Sequence, residues 1–331
     1  MLKKRRTLSS TLSGRSVTLT SSRLRPGRFE LSVDGVAQSV VSLSDPTKLA
    51  YPYTRHIARA IDAAAPSGAP LFTVHLGAGA LTLARYVQAT RAGSPQLVVE
   101  FEPELYATML DALPLPEGSD VRAVFGDARE VAEAASASGA GWAPGPAPGQ
   151  GPAQVSEPES QQVSEPEPAP QSRHASQGHA GRTATPTDWA EAEFTIVDLW
   201  DAAVIHRRVA SREFFALVAA RSAAGGAVVV NLLDGHPFEY ARRQAATLGD
   251  VFAHVAVVLD ADPLDADGPL GNVLIFASDA PLAVAADPDL LGPPRPHMLC
   301  AGQLAAWVGD ARVMTDGDGA ESPDPNDPRW E

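Results

Sequence analysis

Cysteine is nearly absent from this chain of 331 residues, which contains Cys300 alone. A disulfide within the chain and a cluster of thiolate metal ligands are excluded, because each needs at least two cysteines. No nucleophile motif surrounds Cys300, so we interpret it as a buried or neutral thiol. His, Cys and Asp residues do not occur together at the spacing of a metal site, and the sequence therefore predicts no metal.

Long apolar runs are also missing. No uninterrupted run approaches the roughly 18 residues that a membrane span requires. A signal peptide has an apolar segment after its basic residues, and no such segment follows the basic residues at this N-terminus. We therefore expect a cytoplasmic protein that does not contact a membrane.

Positive charge is scarce, since 26 Lys and Arg face 40 Asp and Glu and the formal net charge is −14. This balance argues against a general nucleic-acid surface and is compatible with a cationic substrate. The N-terminus differs, because eight cations and no acid occur in residues 1–28. We interpret residues 1–28 as a solvated, disordered basic tail, with contact to a polyanion or an acidic partner as the open alternative.

A second unusual segment covers residues 139–188. It contains nine of the chain's 29 prolines, no Leu, Ile or Phe, and the hexapeptide QVSEPE twice. Such a segment buries too little apolar surface to offset the entropy of ordering it. We predict a disordered insert within one domain, and a loose C-terminal tail over residues 317–331.

Residues 71–101 have the pattern of a strand, a glycine turn, a helix and a second strand, and the rest of the fold prediction starts from this unit. An apolar run leads into a turn with Gly77 and Gly79, and a helical pattern is followed by a second apolar run that ends at Glu100. Glycines at such a turn let the backbone bend sharply and approach a ligand. In doubly wound folds, an acid at the end of the second strand accepts hydrogen bonds from ribose hydroxyls.

The glycine turn differs from phosphate-binding loops. Its sequence LGAGA lacks the GxGxxG spacing and the Lys and Ser/Thr of a P-loop. A nucleoside without a pyrophosphate, such as an S-adenosyl compound, is therefore favoured. The structural alternative, a tight turn with Glu100 as a solvated strand end, stays open here.

Alternating strands and helices are predicted along the chain. Residues 29–43 alternate around Asp34-Gly35, which predicts a small N-terminal β-hairpin, and a helix over 51–65 leads into an α/β domain formed by residues 66–138 and 189–316. The order of elements implies a mostly parallel sheet with helices on both faces and an antiparallel end. The predicted helices are 103–112, 211–223 and 238–248, and the predicted strands are 121–125, 194–198, 227–233, 251–259 and 273–277.

Several short motifs resemble the spermidine synthase (polyamine aminopropyltransferase) family, from about residue 29 to residue 316 and apart from the insert. The resemblance implies a Rossmann-like class I S-adenosylmethionine-dependent methyltransferase fold with a seven-stranded, mostly parallel sheet. The motifs that carry it are Asp34-Gly35 and Gln38, residues 76–79, 98–100, 126–128, 198–201 and 211–215, Gly225-Gly226 with Asn231, and residues 271–273.

The resemblance also implies roles for these residues. Asp198 would be the catalytic acid that accepts a proton from the attacking amine or steers it electrostatically, and Asp201 would help to hold a diamine. Capping of a strand and a turn remains the structural alternative for both. The cosubstrate would be decarboxylated S-adenosylmethionine or S-adenosylmethionine, with no permanently bound cofactor. Its binding residues would be Gln38, Gly77, Gly79, Glu100 at the ribose, and Asp127 with the Ala128 backbone at the adenine.

The expected activity is transfer of an aminopropyl group to a small amine such as putrescine, in polyamine biosynthesis. Two departures from the family keep alternatives open. Ala80 or Leu81 stands where an acid would hold the amine of the donor, and Arg55 follows Tyr51 and Tyr53 where an acid is usual. The alternatives are a methyltransferase and a non-catalytic nucleoside-binding relative. A homodimer is also open, no nucleic-acid partner is expected, and His75 is interpreted as a packed core residue.

Overall fold

The computed structural model describes residues 7–12, 14–138, 189–201, 204–260, 262–265, 270–287, 289–293 and 295–325, with the backbone alone at 135–138. The predicted insert, residues 139–188, lies outside the described residues. No helix in the described part of the chain has the length and hydropathy needed to cross a membrane.

The N-terminal unit is an antiparallel sheet of four strands in the order β1-β2-β3-β4. The turn between the last two strands contains Asp34 and Gly35, both at positive φ, as the Asp-Gly hairpin signal predicts. Side chains at alternate positions point to one face, where Val17, Leu19 and Leu31 are buried. The strands are β1 (Thr7–Leu12), β2 (Arg15–Ser21), β3 (Arg28–Val33) and β4 (Val36–Ser42).

This sheet corrects two sequence-based predictions. The interpretation of residues 1–28 as a disordered tail is wrong for Thr7–Leu12 and Arg15–Ser21, which form β1 and β2, and for Arg28, which begins β3. The N-terminal unit is therefore a four-stranded sheet and not a hairpin. The alternating pattern of Val17 and Leu19 gives β2 a buried face, and the many cations around it concealed that pattern.

The α/β domain places helices on both faces of a second sheet, and each face has its own apolar cluster. Its elements are α1 (Pro52–Ala64), β5 (Thr73–Leu76), α2 (Thr82–Thr90), β6 (Gln96–Glu100), α3 (Pro103–Ala112), β7 (Val121–Phe125), α4 (Ala128–Ser138), β8 (Ala192–Val197), α5 (Arg212–Ala219), β9 (Ser222–Asp234), α6 (Glu239–Val251), β10 (His254–Leu259), β11 (Gly271–Ser278), α7 (Ala283–Ala286), β12 (His297–Cys300) and α8 (Ala301–Val308).

The second sheet has eight strands in the order β12-β10-β11-β9-β8-β5-β6-β7. The five strands from β9 to β7 in that order pair in parallel, whereas β11, β10 and β12 join through antiparallel pairs. The sheet is therefore mixed, and the prediction of seven mostly parallel strands is corrected. The additional strand is β12, whose four half-buried or exposed residues give little apolar signal.

The strand order reverses beside β5, because the chain continues from β5 to β6 and β7 on one side and returns to β8 and β9 on the other. In open α/β sheets, ligands bind beyond the carboxyl ends of the strands at such a reversal. The ends of β5, β6 and β8 meet there, and they carry the glycine turn, Glu100 and Asp198 respectively.

The predicted loose tail is also corrected in part. Ser322 is buried and forms two hydrogen bonds with Ile205, from the Ile205 amide to its hydroxyl at 2.8 Å and from its own amide to the Ile205 carbonyl at 3.1 Å. This anchors the chain beyond residue 317 to the α/β domain, while residues 326–331 lie outside the described residues.

Candidate functional site

A cavity of about 350 Å³ lies at the carboxyl ends of β5, β6, β8 and β9. The N-terminal sheet lines one side of it, and the start of α1 lines another. Its volume is in the range of small-molecule sites. The cavity brings together five of the predicted site residues: Gln38, Gly77, Gly79, Glu100 and Asp198.

The glycine turn is packed between two parts of the cavity wall. Gly77 has φ of +92°, and a Cβ there would lie 2.3 Å from the carbonyl oxygen of Asp198. A Cβ on Gly79 would lie 2.6 Å from the hydroxyl of Ser39 on β4. Only residues without a side chain let the turn lie this close to the end of β8 and to the N-terminal sheet.

Glu100 is fixed at the end of β6 and is 8% exposed. Its Oε2 accepts a hydrogen bond from the Ala78 amide and its Oε1 accepts one from the Glu102 amide, both at 2.8 Å. Burial raises the pKa of Glu100, although these backbone hydrogen bonds oppose the increase. The carboxylate therefore ties β6 to the glycine turn and borders the cavity as a hydrogen-bond acceptor.

Asp198 follows β8 and presents one carboxylate oxygen to protein donors. Its Oδ1 accepts hydrogen bonds from Trp200 Nε1 at 2.6 Å and from Asn231 Nδ2 at 2.8 Å. Asn231 is held in turn, because its Oδ1 accepts a hydrogen bond from Asn272 Nδ2 at 3.0 Å. Within the described part of the chain, no hydrogen bond reaches Asp198 Oδ2.

Burial raises the pKa of Asp198, while the hydrogen bonds from Asn231 and Trp200 lower it. The carboxylate is half-buried and borders the cavity. A carboxylate with one restrained oxygen, one available oxygen and a raised pKa is suited to accept a proton from a bound ligand.

Two tyrosines line the cavity at the start of α1. The rings of Tyr51 and Tyr53 stack with centroids 5.9 Å apart and planes 15° apart, and both line the cavity. Burial and then the charge of Asp198 raise the pKa of Tyr53, so its hydroxyl is held in the neutral form. Arg55, one turn further along α1, does not line the cavity.

Asp201 lies outside the cavity lining. Its Oδ1 pairs with the Arg15 guanidinium, and its Oδ2 lies 2.9 Å from His206 Nε2. Both oxygens of Asp201 are therefore engaged by protein groups, and a contact with a diamine stays a prediction.

Asp127 and Ala128 also lie outside the lining. Asp127 Oδ1 accepts hydrogen bonds from the amides of Arg129 at 2.9 Å and Glu130 at 3.1 Å, which caps the start of α4. The adenine contact expected of these two residues stays a prediction.

His75 and Arg15 are among the cavity residues to which the sequence analysis assigns no role in the site. His75 lines the cavity with Nε2 2.9 Å from Gln96 Oε1, and burial lowers its pKa to about 4, so it is a neutral polar group. Arg15 lines the cavity from β2 and was assigned to a tail. Alternation around Val17 and Leu19 was the signal that could have placed Arg15 in a strand.

No protein-family model and no curated protein matches this sequence. Solved structures do match. A probable spermidine synthase from Corynebacterium glutamicum ATCC 13032 is 23% identical with a TM-score of 0.70, and the match covers 94% of this chain and 96% of that one. The chain has a spermidine synthase-like fold.

Two further neighbours are more distant. A spermidine synthase in complex with the transition state analogue AdoDATO is 11% identical, with a TM-score of 0.52 and coverage of 86% of this chain and 78% of that chain. The spermidine synthase from Thermotoga maritima is 12% identical, with the same TM-score and coverage of 86% and 77%. The similarity to these proteins is one of fold, and the chemistry has to be argued from the cavity itself.

Proposed function

We propose that this protein transfers an aminopropyl group from decarboxylated S-adenosylmethionine to the nitrogen of a small amine. The observation that carries the proposal is Asp198, whose Oδ1 is held by Trp200 and Asn231 while Oδ2 is available at the cavity. The spermidine synthase neighbour that holds AdoDATO supports the same type of ligand.

The nucleoside half of the donor fits the end of the cavity formed by Gly77, Gly79 and Glu100. The close-packed glycines bring backbone to the cavity surface, and Glu100 supplies carboxylate acceptors for ribose hydroxyls. Gln38 lines the cavity from the N-terminal sheet. The turn has no basic residue for a pyrophosphate, which agrees with a sulfonium nucleoside.

Asp198 accepts the proton of the attacking amine at the end of the cavity away from the nucleoside. The lone pair of the acceptor amine forms a bond to the propyl carbon beside the sulfonium, and the carbon–sulfur bond breaks. Its electron pair stays on sulfur, so methylthioadenosine leaves as a neutral thioether. The amine proton passes to Asp198, whose raised pKa makes it a better proton acceptor than an ordinary aspartate.

Ala80 favours a second candidate, a methyltransferase that uses S-adenosylmethionine. Ala80 is 1% exposed, packs with Val17, Leu31 and Val41 of the N-terminal sheet, and does not line the cavity. Of the two positions at which the resemblance expects an acid for the donor's amine, Ala80 is therefore turned away from the cavity, and Leu81 lines it with an apolar side chain. This leaves Asp198 as the acid nearest the reacting end.

Product analysis separates the candidates. The protein is incubated with decarboxylated S-adenosylmethionine and with S-adenosylmethionine, each in the presence of putrescine and of monoamines. We expect methylthioadenosine from the first donor, and a loss of roughly 10²- to 10⁴-fold in rate for Asp198→Asn. Asp111→Asn, which changes an exposed acid on α3, is the control.

Each alternative has its own outcome. S-adenosylhomocysteine as the only product would establish the methyltransferase, and methylthioadenosine formation that survives Asp198→Asn would exclude the proposed proton acceptor. Nucleoside binding without either product would identify a non-catalytic relative.

A further inference from the structure

The cavity wall formed by the N-terminal sheet is mostly apolar. Its contribution consists of aliphatic side chains and small polar groups, and Arg15 is the only charged residue among the described residues that it adds to the lining. The aliphatic residues are Leu12, Val17, Leu31, Val33, Val36 and Ala37.

Arg15 reaches the part of the chain that follows Asp198. Its guanidinium pairs with Asp201, three residues beyond Asp198, and joins β2 to the loop after β8 across 186 positions of sequence. His206 engages the other oxygen of Asp201, and backbone hydrogen bonds join Asp201 to Val204. Arg15 therefore lies at the acceptor end of the cavity, where the attacking amine approaches Asp198.

A diamine needs two carboxylates, one near each nitrogen. Asp198 serves the reacting nitrogen, but Asp201 is neutralised by Arg15. Glu100 and Glu102 also line the cavity, but they lie at the end of β6, where the nucleoside is proposed to bind. The distal ammonium of a diamine would therefore meet an apolar wall and a guanidinium.

The charge effect is large enough to decide specificity. Two positive charges about 6 Å apart, at an effective dielectric constant of about 20, repel by an energy equivalent to roughly 100-fold in binding. Solvent and the partial neutralisation of Arg15 by Asp201 reduce this to about 10-fold. An alkyl group at the same place is instead stabilised by contact with Val33 and Val36.

We propose that the acceptor is a primary monoamine with an apolar far end, an alkylamine or arylalkylamine, and that Arg15 is the residue that disfavours diamines. This rests on the proposed aminopropyl transfer. Arg15 acts as a specificity-determining residue because it occupies Asp201 and contributes positive charge to the wall.

The test compares two acceptors of equal length, pentylamine and putrescine, which differ by a methyl group in place of an ammonium. We expect kcat/KM for pentylamine to exceed that for putrescine by at least about 10-fold. Arg15→Met should raise the putrescine-to-pentylamine ratio by about 10-fold or more, because the guanidinium is lost from the cavity wall and no longer neutralises the charge of Asp201 next to it. The double variant Arg15→Met/Asp201→Asn should lose that gain, and Arg23→Met, an exposed cation in the turn after β2, should keep the original ratio.

A preference of the unchanged protein for putrescine, or a ratio that Arg15→Met alters by less than twofold, would overturn the inference. Faster use of 5-aminopentanoate than of pentylamine would also overturn it, since Arg15 would then bind a carboxylate. Arg15→Gln provides a second variant if Arg15→Met does not fold, as judged by circular dichroism.

Binding separates this inference from the proposed reaction. If no amine yields methylthioadenosine, aminopropyl transfer is wrong, and the acceptor class is tested by calorimetric titration of both amines in the presence of methylthioadenosine. Tighter pentylamine binding, with putrescine gaining about 10-fold in Arg15→Met, would still support the role of Arg15. Equal binding of the two amines, or no binding of either, would contradict it.

Discussion

Adding a single methyl group at Gly77 should damage both the fold and the site. The substitution Gly77→Ala places a Cβ 2.3 Å from the carbonyl oxygen of Asp198, at a residue with φ of +92°. The left-handed conformation costs a non-glycine residue roughly 1–2 kcal/mol, and overpacking against backbone costs about 1–3 kcal/mol more. The expected loss in the free energy of unfolding is therefore roughly 2–5 kcal/mol.

Gly93→Ala is the matched control, because Gly93 has φ of +81° but no atom within 4 Å of the added Cβ. Only the conformational cost of roughly 1–2 kcal/mol applies there. Urea denaturation of both variants isolates the contact with Asp198, and Gly77→Ala should melt about 5–15 °C below the unchanged protein. Equal destabilisation by the two substitutions would refute the close packing of the glycine turn on the end of β8.

Three further effects follow from buried or paired groups. Burial raises the pKa of Asp234 to about 6, so the folded state binds more protons than the unfolded state, and the contribution of Asp234 to stability falls as pH rises through 6. Between pH 5 and 7.5, the unchanged protein should lose about 1 kcal/mol relative to Asp234→Asn in urea denaturation. Ala80→Asp should cost on the order of 3 kcal/mol of stability, because Ala80 is 1% exposed in an apolar cluster, and it should not restore an acid that binds the donor. Unchanged stability with increased activity would contradict this. Arg129 forms a bidentate pair with Asp316 and lowers the pKa of that carboxyl to about 2. After allowance for solvent screening, Arg129→Met should cost about 1 kcal/mol in the free energy of unfolding. Arg295→Met, which removes an ion pair in solvent, should leave the melting temperature unchanged within error.

Local signals predicted the elements of the α/β domain well where they were strong. The helix over Pro103–Ala112 and the strand over Val121–Phe125 are confirmed at both ends. Pro103 starts its helix because proline is favoured in the first turn, where its missing amide donor is not needed. The proximity of Gly77, Gly79 and Glu100 could also be predicted from the sequence, because all three belong to one strand–turn–helix–strand unit.

Some helix and strand boundaries in the structure differ from the predicted ones, because packing contacts outweigh the local sequence pattern. The helix predicted over residues 211–223 ends at Ala219, and β9 begins at Ser222 and continues through Gly225 and Gly226. A Cβ on Gly226 would lie 2.6 Å from the carbonyl oxygen of Ala192, so this glycine permits close strand packing and does not end a helix. A single sequence does not contain that contact.

Long-range contacts set the parts of the site that the sequence did not predict. Arg15 and Asp201 are 186 residues apart, and a sequence window around either residue holds no sign of the other. Ala80 follows the glycines as an acid would, yet its methyl group faces the N-terminal sheet because β2 and β3 cover it. Both findings involve β2, which the basic composition of the N-terminus obscured.

Calorimetric titration of the full chain with methylthioadenosine tests most directly whether the cavity is a nucleoside site. Binding should be measurable at millimolar nucleoside or below and should raise the melting temperature, since a ligand that binds the folded state stabilises it. Glu100→Ala should weaken binding by about 10-fold or more through loss of the ribose acceptor. Glu104→Ala, which changes an exposed acid on α3, should leave affinity unchanged. No heat and no thermal shift at millimolar methylthioadenosine, or equal affinity of the Glu100→Ala and Glu104→Ala variants, would contradict the assignment.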